Sequence, residues 1–314
     1  MRTTTIAPLR LGVTLIACAI VSACGGGGGN GASNAVPTFA SWNSAQPSTS
    51  LTVPGMSHNF TAGVNAIGDT VTSVNGTGTT DTSNSSITLG FDASRNVRSV
   101  QITTPAGSVS ITNGVAGGSV GCGSSSGFPP GACTASDAGP NNVLAFVDPF
   151  AAGFQYQTFG VWLSDQGNTL SANVFSVGAK TPGASIPTQG TASYSGGATG
   201  FYSDSAGQPF LFSAQMSANA NFGTRTVAFS TTGTTLFNAN TSAQTFDSNL
   251  NLSGTLSYGT RSNNLTGTLT SQGGSMSGTA VGRFYGPNAQ EIGGTFALRG
   301  SGVEAMNGAF GGKQ

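Results

Sequence analysis

NLNLSGTLSY, residues 249–258, is the stretch from which the fold can be read. Leu250, Leu252 and Leu256 fall at even spacing, with Asn, Ser and Thr between them. That alternation is the mark of a strand with one buried and one solvated face. Seven neighbours share the texture: TASYSG (191–196), FLFSAQMSA (210–218), RTVAFSTT (225–232), NLTGTLTS (264–271), SMSGTAVGRFYG (275–286), IGGTFALRG (292–300) and VEAMNGAFGG (303–312). Turn residues separate all eight. Eight evenly spaced antiparallel strands with one apolar face predict a small closed barrel filled by its own side chains. A membrane barrel would need its apolar face outward and broad aromatic girdles. The apolar positions here are too small and sparse for that belt, so the expected barrel is a soluble one.

Composition agrees with an all-β chain. Of 314 residues, 49 are Gly and only 6% are charged. An average domain has about 7% Gly and about 25% charged residues. Gly, Ser, Thr and Asn are weak helix formers and suit short strands and tight turns. The formal net charge is zero. No basic patch is visible, so neither nucleic acid nor an anionic membrane surface is expected as a partner through charge.

The N-terminus is an address. Arg2 and Arg10 precede an apolar run from Leu11 to Val21, too short to span a bilayer comfortably, and small residues lead to Cys24. VSAC (21–24) has the form of a lipobox, so residues 1–23 are expected to be a lipoprotein signal peptide and Cys24 the acylated first residue. Loss of Arg2 and Arg10 with the signal would leave eight basic against ten acidic side chains, a net −2. Residues 24–49 begin with a Gly run and predict a flexible tether with a reach of ~25–30 Å. Gly25 after the Cys points to the outer membrane. Trp42 falls in this segment and is expected to be a docking residue, whereas Trp162 is expected in a core.

Residues 50–182 read as strands of less regular spacing: 86–91, 97–103, 108–112, 143–147 and 156–163. Cys122 and Cys133 lie within GCGSSSGFPPGAC, and an exported compartment permits a disulfide between them. A ring of that size contributes about 3 kcal/mol in the loop-entropy model. KTPGASIP (180–187) has the character of a domain linker, leaving residues 183–314 for the barrel.

Catalytic patterns are poor. GGSVG (117–121) and GSSSG (123–127) match the nucleophile-elbow spacing, but the chain has one His, His58, and it precedes both. The ten acids are scattered singly. No enzyme, no resident cofactor and no metal is expected. His58 is the one His that could serve as an axial haem ligand; its plain alternative is a surface or half-buried position.

FYGPNAQEIGGTF (284–296) stands apart, with three aromatics, a Pro, a rare Glu and two adjacent Gly. Phe284 and Tyr285 should end one strand, and Gly286, Pro287, Asn288 and Ala289 should turn. Ile292 and Phe296 should return on one face. Gly293 and Gly294 should allow a close approach or a bulge. Glu291 is expected to cap turn amides or to pair with Arg283. With GTASYSG (190–196) and GAFGGKQ (308–314), this stretch resembles transferrin-binding protein B and its barrel-domain relatives. YQTFGVWL (156–163) resembles the segment closing that family's handle domain.

The resemblance implies a lipid-anchored, often surface-displayed, non-enzymatic protein with a β-rich handle and an eight-stranded barrel. Transferrin-binding protein B has two such lobes where this chain has one, so architecture and a surface binding role transfer, and the ligand does not. The expectation is an outer-membrane-anchored lipoprotein, displayed at the cell surface, that binds a solute or protein and assists a TonB-dependent receptor. A structural or adhesive lipoprotein without a small ligand, or a haem-capturing protein using His58, are the alternatives.

Overall fold

The computed structural model describes residues 41–314 except 66–67, 77–84, 124–130, 140, 239–240 and 242. The expected signal peptide, the acylation site Cys24 and most of the expected tether lie outside the described residues.

The chain is nearly all β, in two antiparallel sheets. The first contains β1 (Ser50–Val64), β2 (Val71–Asn75), β3 (Ser85–Phe91), β4 (Val97–Thr104), β5 (Gly107–Thr112), β6 (Ser119–Cys122), β7 (Ala132–Ser136), β8 (Asn142–Val147), β9 (Gln157–Asp165) and β10 (Thr169–Gly178). Its order is β5-β4-β3-β1-β10-β9-β8-β7-β6, with β2 paired to β1. The second contains β11 (Thr191–Ser203), β12 (Pro209–Asn221), β13 (Thr226–Asn238), β14 (Gln244–Phe246), β15 (Leu252–Ser257), β16 (Leu265–Ser271), β17 (Ser277–Tyr285), β18 (Glu291–Arg299) and β19 (Ala305–Lys313). There β11 pairs with both β12 and β19, and β12 pairs with β13, which closes an eight-stranded barrel. The short β14 hangs from β13 outside the ring.

The barrel is filled from within. Leu252, Leu256, Leu265, Leu269, Phe229, Phe284, Phe296 and Phe310 share one buried cluster. Ser253, Thr255, Ser257, Thr266, Thr268 and Thr270 stand on the exposed outer face. Leu250 is buried too, from a 3-10 turn rather than from the strand itself. Each such side chain, fully buried, contributes about 1.5–3 kcal/mol from apolar transfer.

The first sheet has two apolar layers. Val53, Ile87, Val100, Ile102, Leu144, Phe146, Trp162, Phe175 and Val177 fill its own interior. Phe60, Ala62, Phe159, Val161, Leu163, Leu170, Ala172 and Val174 point the other way and meet Phe201, Leu211, Phe237 and Ala309 of the barrel. Strands β1, β9 and β10 are therefore buried on both faces, because the barrel wall covers the side that would otherwise meet water.

One expectation needs correction. Trp42 is fully buried in the first sheet's core rather than standing in a tether as a docking residue. Its backbone N–H donates to the Gln155 carbonyl at 2.8 Å, and its indole Nε1 donates to the Gln157 carbonyl at 2.9 Å. The stretch 180–187 runs between the two sheets, and its start is held to the barrel: Lys180 bridges Tyr285, and Thr181 donates its N–H to the Phe284 carbonyl at 3.0 Å.

Candidate functional site

The stretch 284–296 lies where the two sheets meet, and its outward side chains serve the contact. Along β18, Ile292, Phe296 and Leu298 point into the barrel. The alternate residues Glu291, Gly293, Thr295 and Ala297 are buried against the first sheet. Glu291 accepts the Gln155 N–H at 2.5 Å on Oε1 and the Tyr156 N–H at 3.1 Å on Oε2. These are the amides that lead into β9, so Glu291 caps backbone amides of the neighbouring sheet, not those of its own turn. Burial pushes its carboxyl up to about 7; the amides of 155–157 and the Lys313 charge act in the opposite direction.

Gln157 answers from the other side, donating Nε2 to the Ile292 carbonyl at 2.7 Å and the Gly312 carbonyl at 3.2 Å. The Tyr285 hydroxyl bonds Ser176 Oγ at 2.9 Å. Gly293 lets Gln157 and Ser176 approach; a Cβ there would collide with Gln157 Oε1 and Ser176 Oγ. Gly294 faces inward, where a Cβ would strike the Phe310 ring. The β17–β18 ladder runs in register from Ser277 to Tyr285, so the two Gly serve close approach and not a bulge. Gly286 at φ 84° and Ala289 at φ 60° frame the turn that contains Pro287 and Asn288. Asn288 donates its N–H to Gln290 Oε1. Phe284 anchors the barrel end in contact with Tyr194, Phe222 and Tyr258.

The C-terminus completes the clasp. Gly311 packs against the Phe159 ring, and Lys313 Nζ donates to the Ala152 carbonyl at 2.8 Å. Asn263, 3% exposed, ties the segment after β10 to β17: it donates to the Thr181 and Phe284 carbonyls and accepts the Phe284 N–H.

Cys122 and Cys133 form the expected disulfide, joining β6 and β7 across directly paired positions. Trp162 is in the core as expected, its Nε1 donating to Asn142 Oδ1 at 3.0 Å. His58 is 6% exposed on the barrel-facing side of β1. Burial lowers it to about 4, with Arg299 adding to the effect, which leaves a neutral ring wedged between sheets.

Sequence reasoning missed one further feature. At the barrel end crossed by residues 183–188, a cavity of about 350 Å³ is lined by Ile186, Phe222, Arg225, Tyr258 and Arg261, among others. The two Arg lie 36 residues apart in chain order, and nothing local signals their convergence.

Residues 186–314 match a family model described as the C-lobe and N-lobe beta barrels of Tf-binding protein B. No curated protein matches the chain. Among solved structures, a mutant of transferrin-binding protein B from Haemophilus parasuis Hp5 is 15% identical with a TM-score of 0.42. The match covers 77% of this chain and 53% of that one, so this chain spans about half its length. A structure described as a surface lipoprotein is 11% identical, with a TM-score of 0.40 over 85% of this chain and 99% of that one. The N-lobe domain of lactoferrin binding protein B from Moraxella bovis is 12% identical, with a TM-score of 0.36 over 82% and 99%. By the family-model match, residues 186–314 are a barrel of the kind found in the lobes of transferrin-binding protein B.

Proposed function

We propose that this protein is a non-enzymatic surface lipoprotein that binds a solute or a protein. Residues 1–23 are its signal peptide, acylated Cys24 holds it in the outer membrane, and residues 24–49 lead to the folded body. Residues 50–182 act as the handle and 183–314 as the barrel, displayed together at the cell surface beside a TonB-dependent receptor. The observation that carries this reading is the family match of the barrel. The junction supports it: Glu291, Gln157, Tyr285 and Lys313 bind the two sheets to one another, so a ligand meets a single preset surface. Preset surfaces lose less conformational freedom on binding than loose ones.

Affinity capture tests the proposal. The acylated full chain, purified from detergent-solubilised outer membranes of its own host, should bring down a receptor or a ligand in stoichiometric amount. Failure with protein that melts cooperatively would overturn it.

A further inference from the structure

The cavity at the barrel end has a chemistry that nothing described so far uses. Its wall is apolar: Ile186 and Phe222 are buried there with the Tyr258 ring. Phe222 and Tyr258 both pack on Phe284, with ring centroids 5.8 and 5.5 Å away, so this wall is continuous with the barrel core. Its rim is basic. Arg225 follows β12 and Arg261 follows β15, both exposed, and no acidic side chain lines the cavity. The described residues contain only six Arg and two Lys, so two guanidinium groups on one cavity are a large share of the available positive charge.

Three details sharpen the picture. Arg225 and Arg261 sit at φ 57° and 55°, the left-handed region that Gly occupies without strain. Arg95 shares that conformation in the β3–β4 turn. The chain places Gly at many other turns, yet keeps a long cationic side chain at both of these. The Tyr258 hydroxyl is buried and finds no acceptor within the protein, in a residue 8% exposed. A buried polar group without a partner calls for an explanation, and a bound acceptor is one. The rim is also fixed in place: Gly183 lies so close to the Arg261 carbonyl that a Cβ would not fit.

We infer that this cavity binds a small organic anion: a carboxylate or sulfonate carried on an apolar body. The anionic group meets Arg225 and Arg261, whose planar forks suit two-oxygen acceptors. The body lies against Ile186, Phe222 and the Tyr258 ring. At about 350 Å³ the space sits at the small end of the range for such ligands, about 300–1,000 Å³. The inference rests on the binding reading above and gives it a ligand class.

The test uses 8-anilinonaphthalene-1-sulfonate as the anionic probe and N-phenyl-1-naphthylamine, its uncharged counterpart, followed by fluorescence titration of the full chain. The sulfonate should bind saturably, one per chain. Arg225→Gln and Arg261→Gln should each weaken it about tenfold, the scale of a charge-assisted hydrogen bond. Neither should change affinity for the uncharged probe. Arg98→Gln, on the exposed face of β4, should leave both affinities unchanged. Equal affinity for the two probes, or sulfonate binding indifferent to both Arg225 and Arg261, would overturn the inference. If the sulfonate fails to bind while affinity capture still recovers a partner, the cavity assignment falls and the binding function stands. If the sulfonate binds as described while capture recovers nothing, the cavity stands and the displayed-receptor reading falls.

Discussion

Glu291 and His58 carry opposite pH dependences that should cancel in the parent and reappear when either is replaced. The Glu291 carboxyl rises from 4.5 to about 7 on folding, chiefly through burial. Between those values the folded chain holds a proton that the unfolded chain has lost. Stability from this group is therefore full below pH 4.5 and declines as pH rises to about 7. At 1.36 kcal/mol per pKa unit the loss is about 3 kcal/mol. His58 moves the other way, from 6.5 to about 4, also through burial first. Between those values the unfolded chain takes up a proton that the folded chain refuses. Stability from His58 is full above pH 6.5 and falls by about 3 kcal/mol as pH drops to about 4. Across pH 4.5–6.5 the two slopes oppose each other. Urea unfolding from pH 4 to 8 should show Glu291→Gln gaining stability by about 3 kcal/mol between pH 4 and 6.5. His58→Gln should lose about as much between pH 4.5 and 7. If both variants keep the parent's profile, neither group is buried in the ionisation state assigned to it.

Three further outcomes follow from the junction and the first sheet. Gly293→Ala should destabilise by about 1–3 kcal/mol in chemical denaturation, since its Cβ has no room beside Gln157 and Ser176. Trp42→Ala should cost about 3–5 kcal/mol by the same measurement, the loss expected of a fully buried aromatic and not of a tether residue. Replacing both Cys122 and Cys133 by Ser should cost about 3 kcal/mol by thermal melting under non-reducing conditions, because the bridge closes a separation of only 11 residues.

The barrel was legible because its strands keep one wet face. Leu252 and Leu256 alternate with Ser253, Thr255 and Ser257, and the period of two survives in the sequence. Strands β3 and β4 were legible for the same reason, with alternating burial along each. The central strands β1 and β10 were not. Leu170, Ala172 and Val174 face the barrel while Phe175 and Val177 face the first sheet's interior, so β10 shows no alternation to detect. Trp42 was misplaced because its partners, Gln155 and Gln157, lie more than 110 residues away and its neighbours are turn-forming. The same distance hid the role of Glu291. Its isolation among neutral residues signalled a cap, but the amides it caps belong to the segment leading into β9 of the other sheet. Arg225 and Arg261 come together only when the barrel closes, so the cavity had no linear signature.

Central to the proposed function is a folded body carried on a lipid at the outside of the cell. Growth with a radiolabelled fatty acid, followed by outer-membrane fractionation and proteinase K treatment of intact cells, measures this directly. Label on the parent, its loss in Cys24→Ala, and digestion of the parent on unbroken cells are the predicted results. An unlabelled parent that is released with the soluble periplasmic contents would contradict the account.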